Sequence, residues 1–130
     1  MKRSEKRIVW LFGNPDLAID AIPVQLKDRL AAAFPSITFV HKDPLDEWDV
    51  APDPLILIDT VKGIDRVTLF NLLDQFTHSP TVTMHDYDLG MQLAFLQKLG
   101  KLPRLTIIGV PPQLTPDVAF TQISDALHRV

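Results

Sequence analysis

The sequence predicts an α/β protein whose mostly parallel sheet is covered by helices on both faces. Three observations carry that expectation. Ile8 to Phe12, Leu55 to Ile58 and Leu105 to Val110 are apolar runs without polar alternation, the pattern of strands buried on both sides. Apolar residues at helical spacing separate them, from about residue 20 to Phe34, from about Asp86 to Leu99 and from Thr115 onward. Strand and helix signals therefore alternate along the whole chain, as they do where crossover helices join parallel strands.

The elements follow in order. Ile8-Val9-Trp10-Leu11-Phe12 is stopped by the turn signal Gly13-Asn14-Pro15. Ala21, Ile22, Val24, Leu26, Leu30 and Ala33 form the apolar stripe of a helix that Pro35 ends. Pro23 is tolerated in a first turn, where amides lack intrahelical partners, so the N-cap is expected near Asp20. Ile37 to His41 is a short second strand, and Lys42 to Pro54 is a polar loop with three prolines and five acidic residues, in which Trp48 is a candidate anchor. Leu55-Ile56-Leu57-Ile58-Asp59 is the third strand, an apolar run closed by a carboxylate. After a turn at Lys62-Gly63, Arg66 to Leu72 reads as a further strand. Its short connection favours an antiparallel neighbour, because a parallel return needs a crossover of about a dozen residues.

Leu89, Leu93, Leu96 and Leu99 line one side of the next helix, with His85 just ahead of it and Gly100 as its stop. Leu105 to Val110 is the last strand, ended by Pro111-Pro112. Thr115-Pro116-Asp117 opens the final helix with a Thr cap and a proline at the first helical position, and Val118, Ile123, Ala126 and Leu127 are its apolar residues.

Composition narrows the function. The 130 residues are read as one domain, 1–130, without internal repeats, long enough to bury roughly two-thirds of the unfolded surface. The absence of cysteine excludes disulfides, Cys-ligated zinc, iron–sulfur clusters and thiol catalysis. A formal charge of −3, with basic residues scattered beyond the first seven, argues against nucleic acid as a partner. No apolar run reaches the ~18 to 20 residues of a membrane helix, and the short run behind the basic opening lacks a signal-peptide core. A cytoplasmic protein is the expectation. Dinucleotide, phosphate-loop and zinc-helix motifs are absent, and none of Ser4, Ser36, Ser79 and Ser124 sits in a nucleophile elbow. His41, His78 and His128 have no matching partners in the pattern and are assigned to surface or loops.

In open α/β sheets ligands bind beyond the carboxyl ends of the strands. Asp20 lies after the first strand, Asp59 ends the third, and His85 precedes the helix that feeds the last strand. Two carboxylates and an imidazole suit a divalent transition metal and leave coordination positions open. Each residue also has a plain structural role: Asp20 as a helix cap, Asp59 as a turn-forming residue, His85 as a loop histidine bonded to the next helix turn. Asp86 and Asp88 are read as caps at that helix start or as partners of His85.

This order of pieces resembles the hydrogenase maturation endopeptidases. Gly13-Asn14-Pro15 with Asp20 five residues on, the strand closed by Asp59, Thr83-Met84-His85 before an amphipathic helix, and Ile107-Ile108-Gly109-Val110-Pro111-Pro112 match the family's successive motifs. The resemblance runs from about Ile8 to Leu127. It implies a three-layer α/β/α sandwich on a five-stranded sheet of order 2-1-3-5-4 with strand 4 antiparallel. It further implies an endopeptidase that removes a C-terminal extension from the precursor of a nickel–iron hydrogenase large subunit. Asp20, Asp59 and His85 would recognise nickel delivered in that substrate, or another divalent metal in its place, and Asn14 would help orient the substrate. Family members often carry two adjacent acidic residues followed by glycine in the first loop; here Ile19 precedes Asp20, Ala21 follows it, and Pro23 replaces a small residue. A module of the same scaffold that binds nickel or the precursor without cutting it is the alternative. A phosphoacceptor receiver domain, whose aspartate also ends a third strand, needs acidic residues at the end of the first strand and a lysine at the end of the last, where this chain has Gly13-Asn14-Pro15 and Gly109-Val110-Pro111.

Overall fold

The computed structural model describes residues 7–13, 16, 21–43, 52–71 and 84–130, with side chains except at 84–88. Five strands, β1 (Arg7–Leu11), β2 (Ile37–His41), β3 (Leu55–Thr60), β4 (Thr68–Phe70) and β5 (Leu105–Val110), form one sheet of order β2-β1-β3-β5-β4. Only β4 runs antiparallel, against β5. The expected topology is therefore observed. The apolar runs occupy the sheet centre, where β3 is buried at every position.

Strand alternation sorts the core into two layers. Val9 and Leu11 of β1, Ile56 and Ile58 of β3, and Ile108 and Val110 of β5 face one way. Against them pack α1 (Ile22–Gln25), α2 (Lys27–Ala33) and α4 (Pro116–Arg129), through Ile22, Leu26, Leu30, Ile123 and Leu127. Trp10, Phe12, Leu55, Leu57 and Ile107 face the other way and meet Leu89 and Leu93 of α3 (Met84–Lys98). Helices thus cover both faces, as a buried parallel sheet requires.

The sequence signals at helix ends do the work expected of them. The Thr115 hydroxyl accepts from the Val118 amide at 3.3 Å, with Pro116 in the first turn. Thr115→Ala is expected to cost about 1 kcal/mol in urea unfolding, the usual value of such a cap. At the end of α3, Gly100 takes a left-handed φ of 72°, which lets the Lys101 amide reach back to the Leu96 carbonyl at 2.9 Å. Arg29 of α2 pairs with Asp117 of α4 at 2.7 Å and lies 4.2 Å over the Phe120 ring, tying together the helices of one layer.

Four expectations need correction. The first helix is not continuous: it divides at Leu26, whose ψ of −2° departs from the helical value while its buried side chain inserts into the core. Its N-cap is Ala21, without a side-chain bond, rather than Asp20. Strand β4 spans three residues instead of Arg66 to Leu72, because the Val67 amide is taken by the Gln122 side chain of α4 at 2.8 Å and not by the sheet. Helix α3 is described from Met84, so His85 and Asp86 lie inside it instead of ahead of it or at its cap. Residues 44–51, with Trp48, lie outside the described residues.

Candidate active site

The carboxyl ends of β1, β3 and β5 meet along one rim of the sheet. Asp59 is the penultimate residue of β3 and 1% exposed. Alternation places it in line with Leu55 and Leu57, on the α3 side of the sheet. An ionised carboxylate in such surroundings is expensive unless partners or a metal offset its desolvation, so a buried strand-end aspartate is costly to keep for packing alone.

Its neighbour in register on β5 is Gly109. A Cβ at that position would lie 2.7 Å from Cε2 of Phe70 and 2.9 Å from Cγ2 of Val61. The glycine is thus a matter of space: Phe70 from β4 and Val61, just past β3, fill the volume a side chain would take. They form an apolar wall beside the position of Asp59. On the opposite face the neighbouring Thr60 hydroxyl is buried, with no hydrogen-bond partner among the described residues.

The first loop leaves the sheet under tight backbone control. The Phe12 amide donates to the Ile58 carbonyl at 2.9 Å, and the Lys42 amide donates to the Leu11 carbonyl at 2.9 Å. His41 Nε2 donates to the Gly13 carbonyl at 2.9 Å. Strands on both sides thereby hold the point from which Asn14 to Asp20 departs. Asn14 and Asp20 themselves lie outside the described residues, between the fixed ends at Gly13 and the buried Ala21.

Helix α3 places His85 by its backbone. The helix is linked to the amino end of β5 by the short segment 99–104, so its own amino end lies toward the carboxyl rim. Its 15 residues span about 22 Å, close to the length of the strand it covers. Residues 85, 89 and 93 share one helical row, and Leu89 and Leu93 of that row are buried against the sheet. The backbone of His85 therefore lies at the end of the helix that is toward the carboxyl rim; its side chain lies outside the described residues. Among the described residues no three His, Asp or Glu side chains gather into a metal-binding group.

His41 escaped the sequence reading. Its bond is to a main-chain carbonyl 28 residues away, which no motif encodes. The available signal was its place at the carboxyl end of the second strand.

No protein-family model matches the sequence, and no curated protein matches it significantly. Among solved structures, the hydrogenase maturating endopeptidase HybD from E. coli aligns over 95% of this chain and 88% of its own, with a TM-score of 0.60 and 23% identity. An endopeptidase from Escherichia coli covers the same shares at a TM-score of 0.63 and 27% identity. An uncharacterized protein from Wolinella succinogenes aligns over 95% of this chain and 96% of its own, with a TM-score of 0.62 and 17% identity. The 2-1-3-5-4 sheet with its antiparallel edge and its two helical layers is therefore the fold of the hydrogenase maturating endopeptidase, the fold that the sequence resemblance implied.

Proposed function

We propose that this chain is a cytoplasmic endopeptidase that removes the C-terminal extension of a nickel-loaded hydrogenase large-subunit precursor. Asp20, Asp59 and His85 recognise the nickel carried by that substrate. The observation that carries the reading is the buried carboxylate of Asp59 at the carboxyl rim of a fold shared with a hydrogenase maturating endopeptidase. The similarity to a second endopeptidase supports peptide hydrolysis more broadly.

The donor set suits the cargo. Two carboxylates and one imidazole are borderline donors, acceptable to nickel and to other divalent ions of similar preference. Asp59 is held by a strand paired on both sides, so the rigid sheet fixes its donor atoms. Asn14 follows the pinned Gly13 carbonyl and orients the substrate strand entering the rim.

The attacking group in this scheme is water. Cysteine is absent from the chain. Ser36 lies at the amino end of the sheet, where its carbonyl accepts from Arg7, and Ser124 is on α4, so neither described serine is at the rim. A covalent acyl-enzyme has no nucleophile among these residues. Among the described residues no helix is long and apolar enough to cross a membrane.

The test is the intact mass of a nickel-loaded precursor incubated with catalytic amounts of this protein beside its Asp20→Asn variant. Loss of a C-terminal peptide is expected with the wild type alone. A precursor left whole here, yet cut by an authentic maturation protease, would replace catalysis with a binding role on the same scaffold.

A further inference from the structure

Helix α3 carries two apolar rows, and the sheet uses one of them. Leu89 and Leu93 are buried in the core, while Met91, Phe95 and Leu99 are 57%, 58% and 51% exposed. These three stand four residues apart, one above another, on the side away from Leu89 and Leu93. Leu99 was expected with the inner row and stands on the outer one. Single exposed apolar residues are ordinary, but a row of three large ones over about 12 Å of helix is a contiguous patch of the kind that meets a partner.

Charge identifies the partner. Residues 89–116 contain Lys98, Lys101 and Arg104 and no Asp or Glu, in a chain of net charge −3; Arg104 is already paired with Asp53 at 3.1 Å, so Lys98 and Lys101 carry the argument. The opening turns of the same helix contain Asp86 and Asp88. The helix is thus acidic at its amino end and basic at and just beyond its carboxyl end.

We propose that the outer row of α3 is a self-association surface on which a second copy of this chain seats its own α3 antiparallel, about a two-fold axis at Phe95. In that register Phe95 meets Phe95 and Met91 meets Leu99. The amino end of α3 on one copy, with Asp86 and Asp88 in its opening turns, then lies beside the carboxyl end of α3 on the other, with Lys98 in its last turn and Lys101 just beyond. A parallel pairing would instead bring like charges together and align the helix dipoles. The antiparallel contact is isologous and closes at two copies. With three large apolar side chains from each copy it falls below the ~800 Å² per partner of a standard interface, so the dimer is weak and concentration-dependent. The surface is independent of what the carboxyl rim does.

Sedimentation of the full chain from about 10 µM to about 1 mM tests it, a range matched to weak association. A monomer–dimer equilibrium is expected, weakened at least tenfold by Phe95→Glu and several-fold by Lys98→Glu with Lys101→Glu or by high salt. Register is read by oxidative cross-linking, which the absence of cysteine makes unambiguous. Phe95→Cys should yield a covalent dimer alone. Met91→Cys and Leu99→Cys should yield one efficiently only when mixed, and Val118→Cys on α4 should not. A wild type that stays monomeric over the whole range overturns the proposal. So does a 91 and 99 mixture that cross-links no better than either variant alone, and a monomer whose outer row instead captures another protein assigns the surface elsewhere.

Discussion

Asp59→Asn is expected to lower cleavage of a nickel-loaded precursor by about 1,000-fold or more, and its urea midpoint reads whether the carboxylate also serves the fold. The substitution keeps size and shape and removes only the charge. Asp59 is 1% exposed in a strand whose other residues are apolar apart from Thr60, so the folded state bears the desolvation of any charge there. A residue that weakens the fold and is kept for its task should gain stability when neutralised and lose function. If Asp59 served the sheet through a buried ion pair, the sign would reverse: breaking such a pair costs about 3–5 kcal/mol. Unfolding curves and intact-mass cleavage assays on the same preparations separate the two. A destabilised variant that still cuts would remove Asp59 from the site.

Much of this architecture was legible in the chain because the signals were local. The uninterrupted Leu55 to Ile58 run could only be a central strand, and it is buried throughout. Gly100 and Thr115 marked helix ends through backbone chemistry that needs no tertiary partner. The strand order, by contrast, came from the family resemblance, since periodicity alone does not order strands.

The errors lie where tertiary contacts decide. The sequence signals α3 only from Leu89, where the apolar period becomes visible, because His85-Asp86-Tyr87-Asp88 is largely polar. The leucine stripe misplaced Leu99 because both sides of the helix are apolar, and only packing selects the inner row. Strand β4 is shorter than its sequence pattern implies, and nothing in that sequence announces that Gln122 claims the Val67 amide. Within the site, Asp59 was readable as a carboxylate closing an apolar strand. His41 was not, because its partner is a main-chain carbonyl in another element.

Gly109→Ala should destabilise the protein by about 1–3 kcal/mol, the range for forcing a methyl group into filled space. Glycine inside a strand is ordinarily a weakness, since it adds backbone entropy to the unfolded chain and packs nothing, so an alanine there would help if room existed. Room does not exist: the new Cβ would sit 2.7 Å from the edge of the Phe70 ring and 2.9 Å from a methyl of the β-branched Val61. Either the ring swings out, opening the apolar wall, or β5 moves away from β3. The second movement reaches Asp59 directly, because Asp59 and Gly109 are paired in register. Displacing a functional group by about 1 Å can cost ~100-fold in rate, so cleavage should fall further than the loss of stability alone explains. Phe70→Leu removes the ring edge, and in the Gly109→Ala background it should restore at least about 1 kcal/mol, a coupling expected only between residues in contact. Urea unfolding of the four proteins in that cycle measures the coupling, and cleavage by each folded variant measures the effect on Asp59. Additive stabilities would mean that Phe70 does not police the space over Gly109. Coupled stabilities with unchanged cleavage would confine the role of Gly109 to the sheet and detach it from the site.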